Sequence, residues 1–177
     1  MAKRPPPGPD ERRLISRSLQ LAAAIIVLDQ ATKVTAAIWL AGHSPVTVIP
    51  GLFDLVYRTN PGAAWGMFSQ LAWSRWLLLA ISAGVLAIIL WQYRDLTENH
   101  PLRCYALGMV IGGVVGNGLD RAWRGEVVDF LDFYWKTWHW PAFNVADSAI
   151  CVGVICYLFV SCFMTKTEPP PEPPPTS

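Results

Sequence analysis

The chain has 177 residues, of which 53% are hydrophobic and 15% are charged, and its formal net charge is +1. A soluble domain would carry a larger fraction of charged residues. A net charge this close to zero gives no sign of the basic surface that nucleic-acid binding requires. The apolar residues come in runs near membrane-spanning length, and the chain has room for about four helices of roughly 20 residues. We therefore predict an all-α membrane protein with four transmembrane helices and no nucleic-acid partner.

Residues 1–18 are rich in proline and arginine and show no packing pattern, so we expect a disordered tail. The first span is predicted from about Leu19 to Leu40. Asp29 and Lys33 interrupt this span four residues apart, on one face of a helix. They are interpreted either as an ion pair that faces the other helices, which we favour, or as residues with a direct chemical role.

Residues 41–59 break the pattern of long apolar runs. The segments VTVI and LFDLVYR are rich in β-forming residues and lie between prolines and glycines, which predicts short strands outside the membrane. A short interfacial helix is predicted after them, because aromatic and apolar residues between 65 and 73 could share one face.

Three further spans are predicted at about Trp76 to Trp91, Leu102 to Gly118 and Phe143 to Met164. In the third span, Gly112 and Gly116 form a small-xxx-small pair, which lets another backbone approach closely. Residues 165–177 are proline-rich and are expected to form a second disordered tail. The membrane domain is thus predicted to cover residues 19–164.

Basic residues indicate the orientation, because cytoplasmic segments carry an excess of Lys and Arg. The two tails and the link between the second and third spans are richer in these residues than the other two links. They hold Lys3, Arg4, Arg12, Arg13, Arg17, Arg94, Arg103 and Lys166. We therefore expect a multi-pass membrane protein with both termini cytoplasmic and with the link before the fourth span on the extracytoplasmic side.

That link contains the candidate chemistry. Asp129 in VVDF and Asp147 in NVADSAI are embedded in apolar sequence, where a carboxylate is costly unless it is paired or wet. Two close carboxyl groups can share a proton, so one can take a proton from water while the other donates one. This pair could supply the base and the acid for a hydrolysis without a metal or an activated Ser or Cys.

Other polar residues compete for these roles. Asp120 is the rival of Asp129, but its neighbour Arg121 suggests an ionised, structural carboxylate, and Asp132 is interpreted as solvated surface. Asn117 and Asn144 could be substrate ligands or helix caps, and the sequence leaves both interpretations open.

The cysteines and histidines favour neither a metal nor a redox cofactor. The four cysteines lie in apolar segments without CxxC spacing, and the three histidines are far apart. We expect no cofactor and no metal.

Five blocks carry a family resemblance: DQATK at 29–33, NPGAAWG at 60–66, GGVVGNGLDR at 112–121, VVDF at 127–130 and PAFNVADSA at 141–149. In this order, on a four-span layout, they resemble the lipoprotein signal peptidases (signal peptidase II). The resemblance covers residues 18–164. One departure is the proline after Asn60, where the family commonly has another residue.

The resemblance implies an aspartic endopeptidase of the bacterial cytoplasmic (inner) membrane. Such an enzyme removes the signal peptide from lipidated prolipoproteins, just before a diacylglyceryl-modified cysteine. The resemblance also implies four transmembrane helices, a small extracytoplasmic β-cradle and an interfacial helix. We expect a monomer in contact with membrane lipid. Carried over by position, the catalytic pair is Asp129 and Asp147, and the supporting residues are Asp29, Lys33, Asn60, Gly112, Asn117, Asp120, Arg121 and Asn144.

Two other classes of protein fit the sequence less well. A small transporter would need polar residues at mid-membrane in several spans, whereas the span from Leu77 to Leu90 has only Ser82 and the acidic residues lie near one rim. A non-catalytic membrane scaffold would give the carboxylates no reason to converge, and the activity of Asp129→Asn would separate it from an enzyme.

Overall fold

A computed structural model describes residues 6–62, 67–68 and 73–164. The described residues form four helices, α1 (Pro9–Leu40), α2 (Ser74–Thr97), α3 (Pro101–Trp123) and α4 (Val145–Phe163). They also form four strands, β1 (Val46–Ile49), β2 (Phe53–Asn60), β3 (Val127–Trp135) and β4 (Trp138–His139). The helices within this part of the chain are all long and apolar enough to cross a membrane, which confirms the four predicted spans.

The strands make one antiparallel sheet in the order β1-β2-β3-β4. The strands predicted in residues 41–59 are confirmed as β1 and β2. Strand β3 was not predicted, because its sequence VVDFLDFYW follows a span as one mostly apolar run. Phe130 of β3 packs with Ala36 and Leu40 near the end of α1, so the sheet sits directly against the helices.

Helix α1 begins at Pro9, so the prediction of a disordered tail up to Ser18 was wrong for residues 9–18. Proline suits the first turn of a helix, and the acidic residues that follow it favour a helix N-terminus. Two contacts then tie this turn to the other helices: Glu11 pairs with Arg94 of α2, and the buried Ser18 hydroxyl donates to the Cys104 carbonyl of α3 at 2.7 Å. Residues 1–5 and 165–177, which include most of the predicted tails, lie outside the described residues.

The predicted interfacial helix also falls largely outside the described residues, because residues 63–66 and 69–72 are not among them. Residues 67 and 68 form a turn, and α2 starts at Ser74.

Helix α3 lies at the centre and packs against the three other helices. Its glycines permit this. A methyl group on Gly112 would lie 2.9 Å from the Ala22 carbonyl oxygen of α1, and one on Gly113 would lie 2.4 Å from the Ala146 carbonyl oxygen of α4. The close approach predicted at Gly112 is confirmed. Apolar side chains on the outer faces of α1 and α4 stay exposed, as a surface in contact with lipid requires.

Candidate active site

Asp129 is the third residue of β3 and is 4% exposed. The strand positions it because β3 pairs with β2, where Arg58 is its partner in register and Asn60 follows two residues later. The carboxyl group accepts hydrogen bonds from two amides: Asn144 Nδ2 donates to Oδ1 at 2.8 Å, and Asn60 Nδ2 donates to Oδ2 at 3.3 Å.

Asp147 lies in the first turn of α4, where it forms a capping box with Asn144. The Asp147 backbone N–H donates to Asn144 Oδ1 at 2.9 Å, and the Asn144 backbone N–H donates to Asp147 Oδ2 at 3.3 Å. Asn117 of α3 adds a third bond, from Nδ2 to Asp147 Oδ1 at 2.7 Å. The capping interpretation therefore holds for Asn144, whereas Asn117 sits inside α3 and is not a cap.

Burial raises the pKa of Asp129 to about 7, and the nearby negative charge of Asp147 adds to the rise. The amide donors Asn60 and Asn144 oppose this shift because they favour the charged form. The two carboxyl groups are therefore electrostatically coupled, and a pKa of about 7 lets Asp129 hold its proton up to near-neutral pH.

A buried cluster of charges lies behind this pair. Lys33 of α1 is fully buried and its ammonium group lies 2.8 Å from Asp29 Oδ2 and 2.9 Å from Asp120 Oδ2. Asp29 Oδ1 in turn accepts from the Ala146 N–H of α4 at 2.9 Å. The ion pair expected between Asp29 and Lys33 is confirmed, and it anchors the start of α4.

Asp120 belongs to this cluster rather than to the acidic pair. Its carboxylate contacts Lys33 and Arg124, and it accepts the Val128 N–H of β3 at 3.3 Å. The structural role expected for Asp120 fits this geometry, but the expected partner was wrong: Arg124, four residues on, lies over the carboxylate instead of Arg121. In a helix, adjacent residues point in different directions and residues four apart share a face.

Arg121 points toward the loop after β2. Its Nη2 donates to the Gly62 carbonyl at 3.0 Å, while the Gly62 N–H donates to Asn60 Oδ1 at 3.0 Å. Arg121 and Asn60 therefore hold this loop between them, next to the Asp129 carboxylate.

A cavity of about 670 Å³ opens beside the two carboxyl groups. Five of the residues singled out in the sequence line it: Asn60, Asn117, Arg121, Asp129 and Asp147. Asp29, Lys33, Asp120 and Asn144 are not among its lining residues but contact them directly or through one another. Gly112 is not at the cavity and packs against Ala22 of α1. The cavity wall also has a large apolar part that sequence reasoning missed, which includes Trp140, Phe143, Ile150 and Cys151.

Asp132 was expected to be solvated, and this was wrong: it is 1% exposed. Its carboxylate accepts Arg58 Nη2 at 3.2 Å and lies 3.0 Å from His139 Nδ1. Arg58 also lines the cavity. The positive charge of Arg58 in a predicted strand was the available signal, but the pairing of β2 with β3 was not visible in the sequence.

The fold and the cavity define a polytopic membrane protein with a carboxylate-lined site at one end of its helices. Residues 21–163 match the family described as Signal peptidase (SPase) II. The chain belongs to this family of membrane proteases, and it is a multi-pass protein of the inner membrane.

Relatives and solved structures agree. The chain is 46% identical over 132 residues to a lipoprotein signal peptidase of Geobacter metallireducens, covering 75% of this chain and 82% of the relative. It is 45% identical over 159 residues to one of Nitratidesulfovibrio vulgaris, covering 87% and 92%. A bacterial membrane enzyme solved by the in meso method at 2.3 Å resolution superposes with a TM-score of 0.74 at 27% identity, covering 88% of this chain and 95% of that one.

Proposed function

We propose that this protein is an aspartic endopeptidase that removes the signal peptide from lipidated prolipoproteins, cleaving just before the diacylglyceryl-modified cysteine. The names of its relatives support the substrate class. The observation that carries the proposal is the placement of Asp129 and Asp147 on one cavity, held by Asn60, Asn117 and Asn144.

The proposed reaction uses one water and one shared proton. Asp147, ionised at the start of α4, takes a proton from water, and the water oxygen attacks the carbonyl carbon of the scissile peptide. Asp129 gives its proton to the carbonyl oxygen, which yields a tetrahedral diol. The carbon–nitrogen bond then breaks, Asp147 returns its proton to the leaving amine, and Asp129 takes one back from a hydroxyl of the diol.

This assignment of roles rests on the environment of each carboxyl group. The pKa of Asp129, raised to about 7 by burial and by Asp147, suits a proton donor near neutral pH. Asp147 sits in the first turn of a helix, where the helix dipole favours negative charge.

The cavity offers a place for the substrate. Its apolar wall, with Phe143, Ile150 and Cys151, suits the hydrophobic signal peptide or the lipid chains of the modified cysteine. Arg58 and Arg121, on the polar side, can donate to peptide carbonyls. We further propose that the site faces the extracytoplasmic side, with both termini in the cytoplasm and the protein acting as a monomer.

The test is cleavage of a purified lipidated prolipoprotein by the purified protein in detergent. We expect a single cut before the lipidated cysteine, unchanged by EDTA. The matched control is the same precursor with its cysteine unmodified, which should be cleaved far more slowly. Loss of activity with EDTA and its return with zinc would contradict the mechanism, and equal cleavage of the unmodified precursor would contradict the substrate class.

A further inference from the structure

Lys33 lies behind the cavity and makes three contacts with oxygen atoms. Its ammonium group lies 2.8 Å from Asp29 Oδ2, 2.9 Å from Asp120 Oδ2 and 2.9 Å from Asn117 Oδ1. An ammonium group has three donors and no acceptor. The three oxygens therefore match the three protons of Lys33.

The contact with Lys33 is the shorter of two that fix which way the Asn117 amide faces. Because Lys33 cannot accept a hydrogen bond, the side-chain oxygen of Asn117 must face it and the NH₂ group must face away. That NH₂ group donates to Asp147 Oδ1 at 2.7 Å. A flipped amide would set donor against donor at Lys33 and oxygen against oxygen at Asp147, so the flip is unfavourable at both ends.

The other two asparagines at the site are fixed in the same sense. The Gly62 N–H holds the side-chain oxygen of Asn60 at 3.0 Å, and the Asp147 N–H holds that of Asn144 at 2.9 Å. Each therefore turns its NH₂ group toward Asp129. Those two are fixed by backbone groups. The side-chain oxygen of Asn117 is instead held by side chains, at 2.9 Å from Lys33 Nζ and, more loosely, at 3.3 Å from Asn144 Nδ2, and a substitution can remove the shorter of these two bonds.

We propose that Lys33 is a positioning residue for the hydrolysis, acting through Asn117; this rests on the function proposed above. Lys33 keeps an N–H donor on Asp147 and so holds that carboxylate in one orientation, ready to take a proton from water. Without Lys33, only the 3.3 Å bond from Asn144 holds the Asn117 oxygen in place. The amide can then flip more readily, and Asp147 loses the shortest of the hydrogen bonds described for it.

A double-mutant cycle on turnover tests the path. Lys33→Met, Asn117→Ala and the double variant are assayed on the lipidated precursor, with kcat per folded enzyme and KM measured separately. We expect Lys33→Met to lower kcat by about 10²-fold, the loss typical of a misplaced reacting group, with little change in KM. We expect the double variant to be no slower than Asn117→Ala alone, because Lys33 acts through the Asn117 side chain, which that variant already lacks.

The matched control is Arg124→Met. Arg124 is the other cation on Asp120, so its loss also disturbs the buried charges, but its described contacts do not include Asn117. We expect Arg124→Met to lower stability and to leave kcat per folded enzyme near that of the wild type. An equal fall in kcat for Arg124→Met and Lys33→Met would overturn the proposal, because general loosening of the cluster would then explain both. Losses of Lys33→Met and Asn117→Ala that multiply in the double variant would overturn it as well.

Two variants keep the test decisive if Lys33→Met does not fold. Lys33→Met with Asp120→Asn removes one positive and one negative charge together, so the buried cluster stays balanced, and it should show the same loss of kcat. Asn117→Asp keeps an acceptor for Lys33 but cannot donate to Asp147. Full activity of Asn117→Asp would show that catalysis does not need the N–H donor from residue 117 to Asp147. That result would overturn the proposal without any Lys33 variant.

The Asp147→Asn protein separates this inference from the function beneath it. If the wild type does not cleave the precursor, or if Asp147→Asn remains active, the proposed function fails. If the wild type cleaves, Asp147→Asn does not, and folded Lys33→Met has normal kcat, the function stands and this inference alone fails.

Discussion

The Asn144 amide donates to the Asp129 carboxylate at 2.8 Å, and this bond joins the N-cap of α4 to strand β3. Asn144 also holds Asp147 through the capping box. One side chain therefore sets the positions of both carboxyl groups, although they lie on different elements. The acidic pair depends on the contact of the sheet with the helices, and a change that shifts either will separate the carboxyl groups.

Replacement of either aspartate of the catalytic pair by asparagine should abolish turnover without unfolding the protein. Asp129→Asn and Asp147→Asn keep nearly the same shape but cannot exchange a proton, and general acid–base catalysis is worth about 10²–10⁴-fold. Asp120→Asn is the control. It weakens the buried pair with Lys33, so stability should fall by about 1–3 kcal/mol, while folded protein keeps turning over. The measurement is turnover per folded enzyme, with folding checked by thermal unfolding. An active Asp129→Asn protein beside a folded but inactive Asp120→Asn protein would show that Asp120, and not Asp129, belongs to the catalytic pair.

The rate should depend on pH through Asp129. The proposed acid must carry its proton, and its pKa is raised to about 7 by burial and by the charge of Asp147. Turnover at saturating substrate should therefore fall as pH rises through about 7. A rate that keeps rising to pH 9 would show that a protonated Asp129 is not needed.

Stability should carry the same signature, with a sign that can be worked out. Below pH 4 the Asp129 carboxyl group is protonated both in the folded and in the unfolded chain. Between about 4 and 7 it is ionised in the unfolded chain but still protonated in the folded one, so the folded state loses stability as pH rises. The change is on the order of 4 kcal/mol at most. The Asp129→Asn protein has no carboxyl group to ionise at this position, so its thermal midpoint should rise relative to that of the wild type between about pH 4 and pH 7. Parallel curves for the two proteins would contradict the raised pKa of Asp129.

Two glycines of α3 provide a matched pair for packing. A methyl group at Gly113 would lie 2.4 Å from the Ala146 carbonyl oxygen, whereas one at Gly118 would meet nothing within 4 Å. Gly113→Ala should push the first turn of α4 away, cost about 1–3 kcal/mol and lower turnover, because Asp147 lies in that turn. Gly118→Ala should be neutral or stabilise by up to about 1 kcal/mol through helix propensity. Thermal unfolding of both variants in one detergent makes the comparison.

The orientation can be tested in intact cells. In a cysteine-free background, single cysteines near Pro50 and Lys136 should react with a membrane-impermeant thiol reagent from outside. A cysteine at Asp10 should react only after permeabilisation. The opposite labelling would contradict the charge bias and place the cavity on the cytoplasmic side.

The features that could be predicted from the sequence are those that depend on local patterns of residues. Run length and composition predict the four spans, and alternation between turn residues predicts β1 and β2. Asp129 and Asp147 stand out because each interrupts an apolar stretch, where a carboxylate is costly. These features depend on near neighbours in the chain, so they can be read without knowledge of the fold.

The features that sequence reasoning missed are contacts between distant segments. Strand β3 could not be told from an apolar span by periodicity, because it is buried on both faces over most of its length. The burial of Asp132 follows from its contacts with Arg58 and His139, which only the sheet register brings together. Likewise, Asn117 lies three residues before Asp120, yet its partners Lys33 and Asp147 come from two other helices.

The capping box of α4 has a consequence for motion. Asp147 Oδ2 both accepts the Asn144 N–H and belongs to the group proposed to gain a proton during each turnover. A protonated carboxyl group is a weaker acceptor than a carboxylate, so the first turn of α4 should loosen whenever the proton arrives and tighten when it leaves. Hydrogen exchange at the backbone N–H of Asn144 should therefore be faster during turnover than in the resting enzyme, so the catalytic cycle would be coupled to fraying of the first turn of α4.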